Sequence, residues 1–283
     1  MSDQHSHTGQ TWRLEHDSLG DVRVPADRYW GAQTERARHR FQIGNDPIPL
    51  ELIHAIACLK RMAAHTNHQL GVLDEQRCQW ISEAAREVEG GKLDGEFPLS
   101  CWQSGSGTQT NMNVNEVIAN RACELAGQAR GSRDVVHPND HVNRSQSTND
   151  VFPCAIHLAA ERQQRQALLP ALHQLVEALE SKAAAWDGVV KIGRTHLQDA
   201  VPLTVGQEVG GWAAQLRSAG ERLEQGLLEL RSIPLGGTAV GTGIGAPKGY
   251  PQAVCEQLSS CEGVEWRSDG NRFALMGSHD ALV

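Results

Sequence analysis

Residues 151–185, VFPCAIHLAAERQQRQALLPALHQLVEALESKAAA, read as one long helix. Leu168, Leu172, Leu175 and Leu179 recur at alternating four- and three-residue steps, the spacing of an apolar stripe on one helical face. Pro170 lacks an amide hydrogen and is expected to kink the helix locally. Residues 206–230 repeat the pattern through Val209, Ala213, Leu216, Leu223, Leu227 and Leu230. Two helices of this length, joined by a short polar connection, imply a bundle and an all-α fold class.

Shorter helical patterns precede this pair. Residues 27–40 look helical, and residues 50–70 carry a stripe of Ile53, Ile56, Ala57, Lys60 and Ala64 that Gly71 stops. Asp74 is placed to cap a helix bearing Trp80, Ile81, Ala84, Ala85 and Val88, which ends at Gly90-Gly91. Helical spacing resumes over residues 108–127. Near the start, Ser18-Leu19-Gly20-Asp21 is a turn signal between short extended pieces, a small β-hairpin. Downstream, helices are expected from 248 and from 271. The expected organisation is a disordered tail over 1–11, a mainly helical N-terminal domain over 12–146, and an incomplete long-helix bundle over 147–283.

Composition narrows the function. The net charge of −8 argues against non-specific nucleic-acid binding, so any anionic ligand must be held by local donors. The seven scattered cysteines include no CxxC pair, which points to reduced thiols in a cytoplasmic compartment. No apolar run approaches a membrane span. His5 and His7 lie in the polar tail and are read as part of it rather than as metal ligands.

Four polar stretches stand out. Gly105-Ser106-Gly107-Thr108-Gln109-Thr110-Asn111-Met112-Asn113 puts glycines and hydroxyls at a helix N-terminus, where amides and the macrodipole favour anions. It offers more donors than a cap alone needs. His137-Pro138-Asn139-Asp140-His141 lacks the regular spacing of a metal set. Ser147-Thr148-Asn149-Asp150 precedes the long helix, with Asn149 or Asp150 as the expected N-cap and the remaining groups as neutral donors for a carboxylate. Leu235 to Gly245 is glycine-rich but follows a helix rather than a strand, so it reads as a close-packed turn, not a dinucleotide loop. In Gly193-Arg194-Thr195-His196-Leu197-Gln198-Asp199-Ala200-Val201-Pro202, His196 can exchange protons near neutrality. Together these loops suit a small polyanion and a proton transfer beside its carboxylate, without a metal or a Cys nucleophile.

The motif from Cys101 to Asn113, together with His137-Pro138-Asn139-Asp140, Ser147-Thr148-Asn149-Asp150 and Gly193 to Asp199, resembles class II fumarate hydratase of the fumarase/aspartase superfamily. The likeness runs from Trp12 to the last residue. Aspartate ammonia-lyase is the nearest alternative; such chains usually carry Gln at the position of His196 and Ala at that of Ser106. The resemblance implies reversible hydration of fumarate to (S)-malate by a homotetramer without a cofactor. Ser106, Gly107, Thr108, Ser147, Thr148, Asn149 and Thr195 would hold the substrate carboxylates, and His196 would be catalytic, moving a proton through a bound water. His137, Pro138, Asn139 and Asp140 match the family's second dicarboxylate site, where an Arg three residues before the His is replaced here by Asp134. The family's base, a Ser on a mobile Gly-Ser-Ser-x-Met-Pro-x-Lys-x-Asn loop, does not occur within the chain. The chain by itself is therefore expected to be inactive, and the competing reading is a non-catalytic remnant that binds dicarboxylates or associates with intact subunits.

Overall fold

The computed structural model describes residues 11–268 and 270–283. The expected tail therefore lies outside the described residues, apart from Thr11. The chain divides into two compact units: one runs to Ala159 and resumes over Ser232–Asp280, the other comprises Ala160–Arg231 and Ala281–Val283.

The first unit opens with a β-hairpin, as expected. β1 (Trp12–Asp17) pairs antiparallel with β2 (Gly20–Pro25), in register from Trp12↔Pro25 to Asp17↔Gly20. α1 (Ala32–Arg40) starts later than the predicted 27. The reason is tertiary. Buried Glu116 accepts from the amides of Gly31 (2.9 Å), Gln33 (2.7 Å) and Thr34 (3.1 Å), and Glu15 accepts from Ala32 (3.1 Å), so two distant carboxylates cap α1. A Cβ at Gly31 would lie 2.8 Å from Glu15 Oε2, which makes this a glycine position.

α2 (Leu50–Gln69) packs against α3 (Glu75–Glu89), α4 (Thr108–Leu125) and α8 (Tyr250–Glu262). Asp74 caps α3 through the Arg77 amide, as its position predicts. The core holds Ile53, Ile56, Leu59, Ile81 and Ile118, joined by Leu158 of α5 (Thr148–Gln163) and by Ile233, Leu235, Tyr250 and Leu258. The compact units are thus bounded differently from the domains expected at 146/147. The start of α5 and all of α8 bury their apolar faces in the first unit's core.

In the second unit, a π-helical turn (Gln164–Leu168) leads into α6 (Leu169–Ala185), with Pro170 in the first turn of α6. The predicted kink takes this form because Pro170 has no amide to close the preceding α-helical ladder. α6 packs along α7 (Val205–Leu230). Leu169 and Val176 are buried on α6, with Val209, Ala213, Leu227 and Leu230 on α7; Leu168 and Leu175 of the predicted stripe are about half exposed, at 49% and 48%. The seam keeps Leu172, which would lie 3.2 Å from a Cβ at Gly220.

The connection between α6 and α7 differs from the predicted polar connector. It is a second hairpin, β3 (Val190–Thr195) against β4 (Gln198–Thr204), with an irregularity between Ile192 and Arg194. Thr204 then caps α7 in a box with Gln207. α9 (Arg272–Gly277) begins where predicted, with Asn271 accepting from Phe273 and Ala274. Among the described residues no helix is long and apolar enough to cross a membrane.

The place of α8 can be checked by truncation. Leu258→Ala, at a fully buried position, is expected to cost about 2–5 kcal/mol in a urea melt, whereas half-exposed Leu175→Ala stays within about 0.5 kcal/mol of wild type.

Candidate functional site

The loop before α4 is held by side chains that reach over it. Gln103 Oε1 accepts from the Thr110 amide (3.1 Å) and hydroxyl (3.0 Å), and Gln109 Oε1 accepts from the Ser104 amide (3.1 Å) and hydroxyl (2.7 Å). Gly107 is the N-cap residue of α4, at φ +71°, and has no side-chain cap hydrogen bond. A Cβ there would lie 2.5 Å from the Phe152 ring, so glycine is required both by the left-handed backbone and by the close approach. Ser106 and Thr108 are hydrogen-bonded to each other at 3.1 Å rather than used as caps. Both residues are exposed at the start of α4.

α5 is capped differently from expectation. Ser147, not Asn149 or Asp150, precedes the first turn; its Oγ accepts from the Asn149 amide at 3.3 Å, and its own amide donates to Asp150 Oδ1 at 2.9 Å. Asn149 instead donates through Nδ2 to the Ala239 carbonyl at 2.7 Å, and Thr148 Oγ1 accepts from Asn111 Nδ2 at 3.0 Å. The second oxygen of Asp150 accepts from the amides of Gly236 (3.0 Å) and Thr238 (2.9 Å). The glycine-rich turn is thereby drawn onto the start of α5. It is as closely packed as its composition predicts: a Cβ at Gly236 would lie 2.5 Å from Pro251.

These segments enclose a cleft of about 390 Å³ lined by Gly105, Ser106, Thr148, Asn149, Phe152, Val240 and His279, among others. Gly107, Thr108 and Ser147 are not among the lining residues, although Gly107 and Ser147 each adjoin one in sequence and Thr108 is hydrogen-bonded to Ser106. A cleft of similar size, about 370 Å³, lined by Arg38, Phe41, Phe97 and Gln109, contains none of the expected donors, so chemistry favours the first.

Lys60 is a functional candidate that sequence reasoning placed only in an apolar stripe. Fully buried, it donates to Asn143 Oδ1 (2.7 Å) and Gln146 Oε1 (3.1 Å), and Asn143 also accepts from Asn111 at 3.4 Å. Burial pulls the Lys60 ammonium down to about 7, against the favourable field of Asp150. Burial likewise pushes Asp150 up to about 6, although three amides and Lys60 favour its charge. Its signal was present in the sequence as a lysine on the core side of an apolar stripe. The Oδ1 atoms of buried Asn111 and Asn115 have no partner among the described residues.

Thr195 and His196 belong to the second unit, at the tip of the β3–β4 hairpin. His196 and Leu197 form its two-residue turn with φ of 49° and 62°, the left-handed pair that a tight hairpin needs and that non-glycine residues adopt at a cost. Both are exposed, and the His196 ring has no hydrogen-bond partner among the described residues.

At the second expected site, Pro138 opens a π-helical turn capped by His137, whose Nδ1 accepts from the amides of Asn139 (3.3 Å) and Asp140 (3.2 Å). Burial holds the His137 imidazole below its ordinary value. Asp134 is exposed, and neighbouring Arg133 is turned to the His16 carbonyl (2.5 Å) and Glu15 (3.1 Å). Arg133 therefore does not replace the missing cation.

Two helix N-termini and a cluster of neutral hydroxyl and amide donors thus meet at one cleft of an α-helical protein. Residues 20–283 match the model of the family described as Lyase, and the chain belongs to that family. It is 54% identical over 271 residues to the class II fumarate hydratase of Thermosynechococcus vestitus, covering 96% of this chain and 58% of that relative. The corresponding figures for the class II fumarate hydratase of Thermus aquaticus are 52% over 274 residues, 96% and 59%. The fold matches a crystal structure of class II fumarase from Schistosoma mansoni with a TM-score of 0.93 and 42% identity, over 96% of this chain and 60% of that one. The chain thus spans somewhat under two thirds of the length of these relatives.

The buried lysine has a testable signature. An unfolded lysine keeps its proton up to its ordinary value of 10.5, whereas folded Lys60 releases it at about 7. Between those values the unfolded state binds more protons, so this group makes stability rise with pH. Lys60→Met is expected to remove that rise: the wild-type-minus-variant difference in unfolding free energy, measured by urea titration at several pH values, should increase from pH 7 to pH 10.

Proposed function

We propose that this chain supplies the carboxylate-binding surfaces of a class II fumarate hydratase, which adds water reversibly to fumarate to give (S)-malate. The observation that carries the reading is the convergence of Ser106, Thr148 and Asn149 on one cleft, from two helix N-termini whose donors are not all consumed in capping. Ser106, Gly107, Thr108, Ser147, Thr148 and Asn149 hold the substrate carboxylates, and Thr195 adds a further hydroxyl. His196 assists the proton transfer through water. Removing a proton beside a carboxylate leaves an aci-carboxylate dianion, and preorganised neutral donors stabilise that state more than the ground state. An exposed hairpin tip carrying Thr195 and His196 fits a site completed by neighbouring copies in a homotetramer. A weaker dicarboxylate site at His137, Pro138, Asn139 and Asp140 belongs to the same reading. The scattered cysteines, without a CxxC pair, fit a cytoplasmic enzyme.

Aspartate ammonia-lyase chemistry is the second reading within this superfamily. His196 and Ser106 favour hydration, through the titratable ring and the additional hydroxyl.

Two experiments test the proposal. In the protein carrying the whole reading frame, His196→Asn is expected to lower kcat far more than it raises KM, and Thr108→Val and Asn149→Ala to weaken a dicarboxylate inhibitor by about 1–3 kcal/mol each. Unchanged kcat and calorimetric affinities would return these residues to turn-forming and capping roles. Separately, residues 1–283 expressed alone are expected to show no hydration of fumarate, while the whole reading frame is active. Turnover by residues 1–283 that survives further purification would mean that a residue of this chain supplies the base; inactivity of both would favour the non-catalytic reading.

A further inference from the structure

α2 and α8 meet at a second cluster of reactive groups, outside the cleft. The Sγ atoms of Cys58 and Cys261 and a carboxylate oxygen of Glu262 all lie within 4.8 Å of one another. Cys58 is fully buried on α2, and Cys261 is exposed in the last turn of α8. Arg61, one helical turn beyond Cys58, donates from Nη2 to Cys261 Sγ at 3.3 Å. Its guanidinium is fixed by a two-point contact with Glu89, at 2.7 and 2.8 Å.

We propose that Cys58 and Cys261 are a reversible dithiol–disulfide pair that links α2 to α8, with Cys261 as the thiol that reacts first with a hydroperoxide. The Cys58 thiol and Arg61 hold the Cys261 thiol down to about 6, so it is largely thiolate at neutrality. Cys101 is also exposed but has no such cation beside it in the described contacts, and burial pushes the Cys154 thiol well up. In the first step the Cys261 thiolate attacks the peroxide: the O–O bond breaks, sulfur is oxidised to a sulfenic acid, and the peroxide leaves as an alcohol, or as water for hydrogen peroxide. In the second step the Cys58 sulfur attacks that sulfenic sulfur, the S–S bond forms, and the hydroxyl leaves as water with the Cys58 proton. Closure to an S–S bond of about 2.05 Å requires the end of α8 to shift toward α2. That end is a single terminal turn finished by Gly263 at φ 69°, where the helix can give without disturbing the Tyr250–Leu258 core. A soft divalent cation could meet the same three atoms, but the Arg61 charge beside Cys261 favours a thiolate without a metal.

The test is peroxide treatment of the reduced, folded chain, followed by alkylation and peptide mass mapping. The expected result is a Cys58–Cys261 linked peptide that a dithiol reductant reverses. Cys58→Ser should instead accumulate a Cys261 sulfenic acid that a dimedone probe captures, and Cys261→Ser should leave Cys58 reduced. Before oxidation, iodoacetamide at pH 7 should label Cys261 several-fold faster than Cys101. Equal labelling rates, or peroxide treatment that yields no Cys58–Cys261 peptide, would overturn the proposal. Zinc(II) protecting both thiols at one equivalent, with no peroxide-induced linkage, would also overturn it, in favour of a cation site.

Discussion

The buried carboxylate of Asp150 is the interaction that ties the first unit's glycine-rich turn to the start of α5. Its two oxygens accept from Ser147 at the start of α5 and from Gly236 and Thr238 in the glycine-rich turn, 86 and 88 residues away in the chain. A fully buried carboxylate is unfavourable unless its lone pairs are filled, and backbone amides fill them here. Lys60, equally buried, supplies the compensating charge and orders Asn143 and Gln146. Removing either charge would leave the other buried without its counterpart, so the network is coupled rather than additive.

The cleft follows from that anchoring. With the turn held on α5, the Ala239 carbonyl meets Asn149, and Phe152 lies under Gly107. Ser106 then lines the cleft, and its hydroxyl hydrogen-bonds that of Thr108 instead of capping α4. Left-handed backbone recurs at these places, at Gly107, Gly236 and Thr238, where the loops turn sharply.

The second unit is organised on a different principle. α6 and α7 share a narrow seam of Leu169, Val176, Val209, Ala213, Leu227 and Leu230, and Gly220 lets Leu172 approach closely. Half of the predicted leucine stripe stays exposed on α6, and the hairpin carries Leu197 at 93% exposure beside His196. A tight turn built from two left-handed non-glycine residues costs free energy. Such strain is common where a side chain must be held out from its scaffold.

Sequence periodicity determined most of the helices, because apolar spacing and caps such as Asp74 are local properties: α2, α3 and α7 fall where their stripes predict, and α4 and α8 close to their expected starts. The residue types at Gly105 to Thr108, Ser147 to Asn149 and Thr195-His196 likewise carried the family resemblance. The tertiary structure decided what depends on distant partners. The start of α1 is set by Glu15 and Glu116, and the membership of α8 in the first unit by a shared core. The roles of Lys60 and Asp150 likewise come from burial beside groups about 80 residues apart or more. The β3–β4 hairpin was hidden because its turn, His196-Leu197, lacks the Asn or Gly that marks left-handed backbone in a sequence. Local pattern reports how a segment can fold by itself; whether a charge is buried, a loop is anchored or a turn is strained depends on what the rest of the chain packs against it.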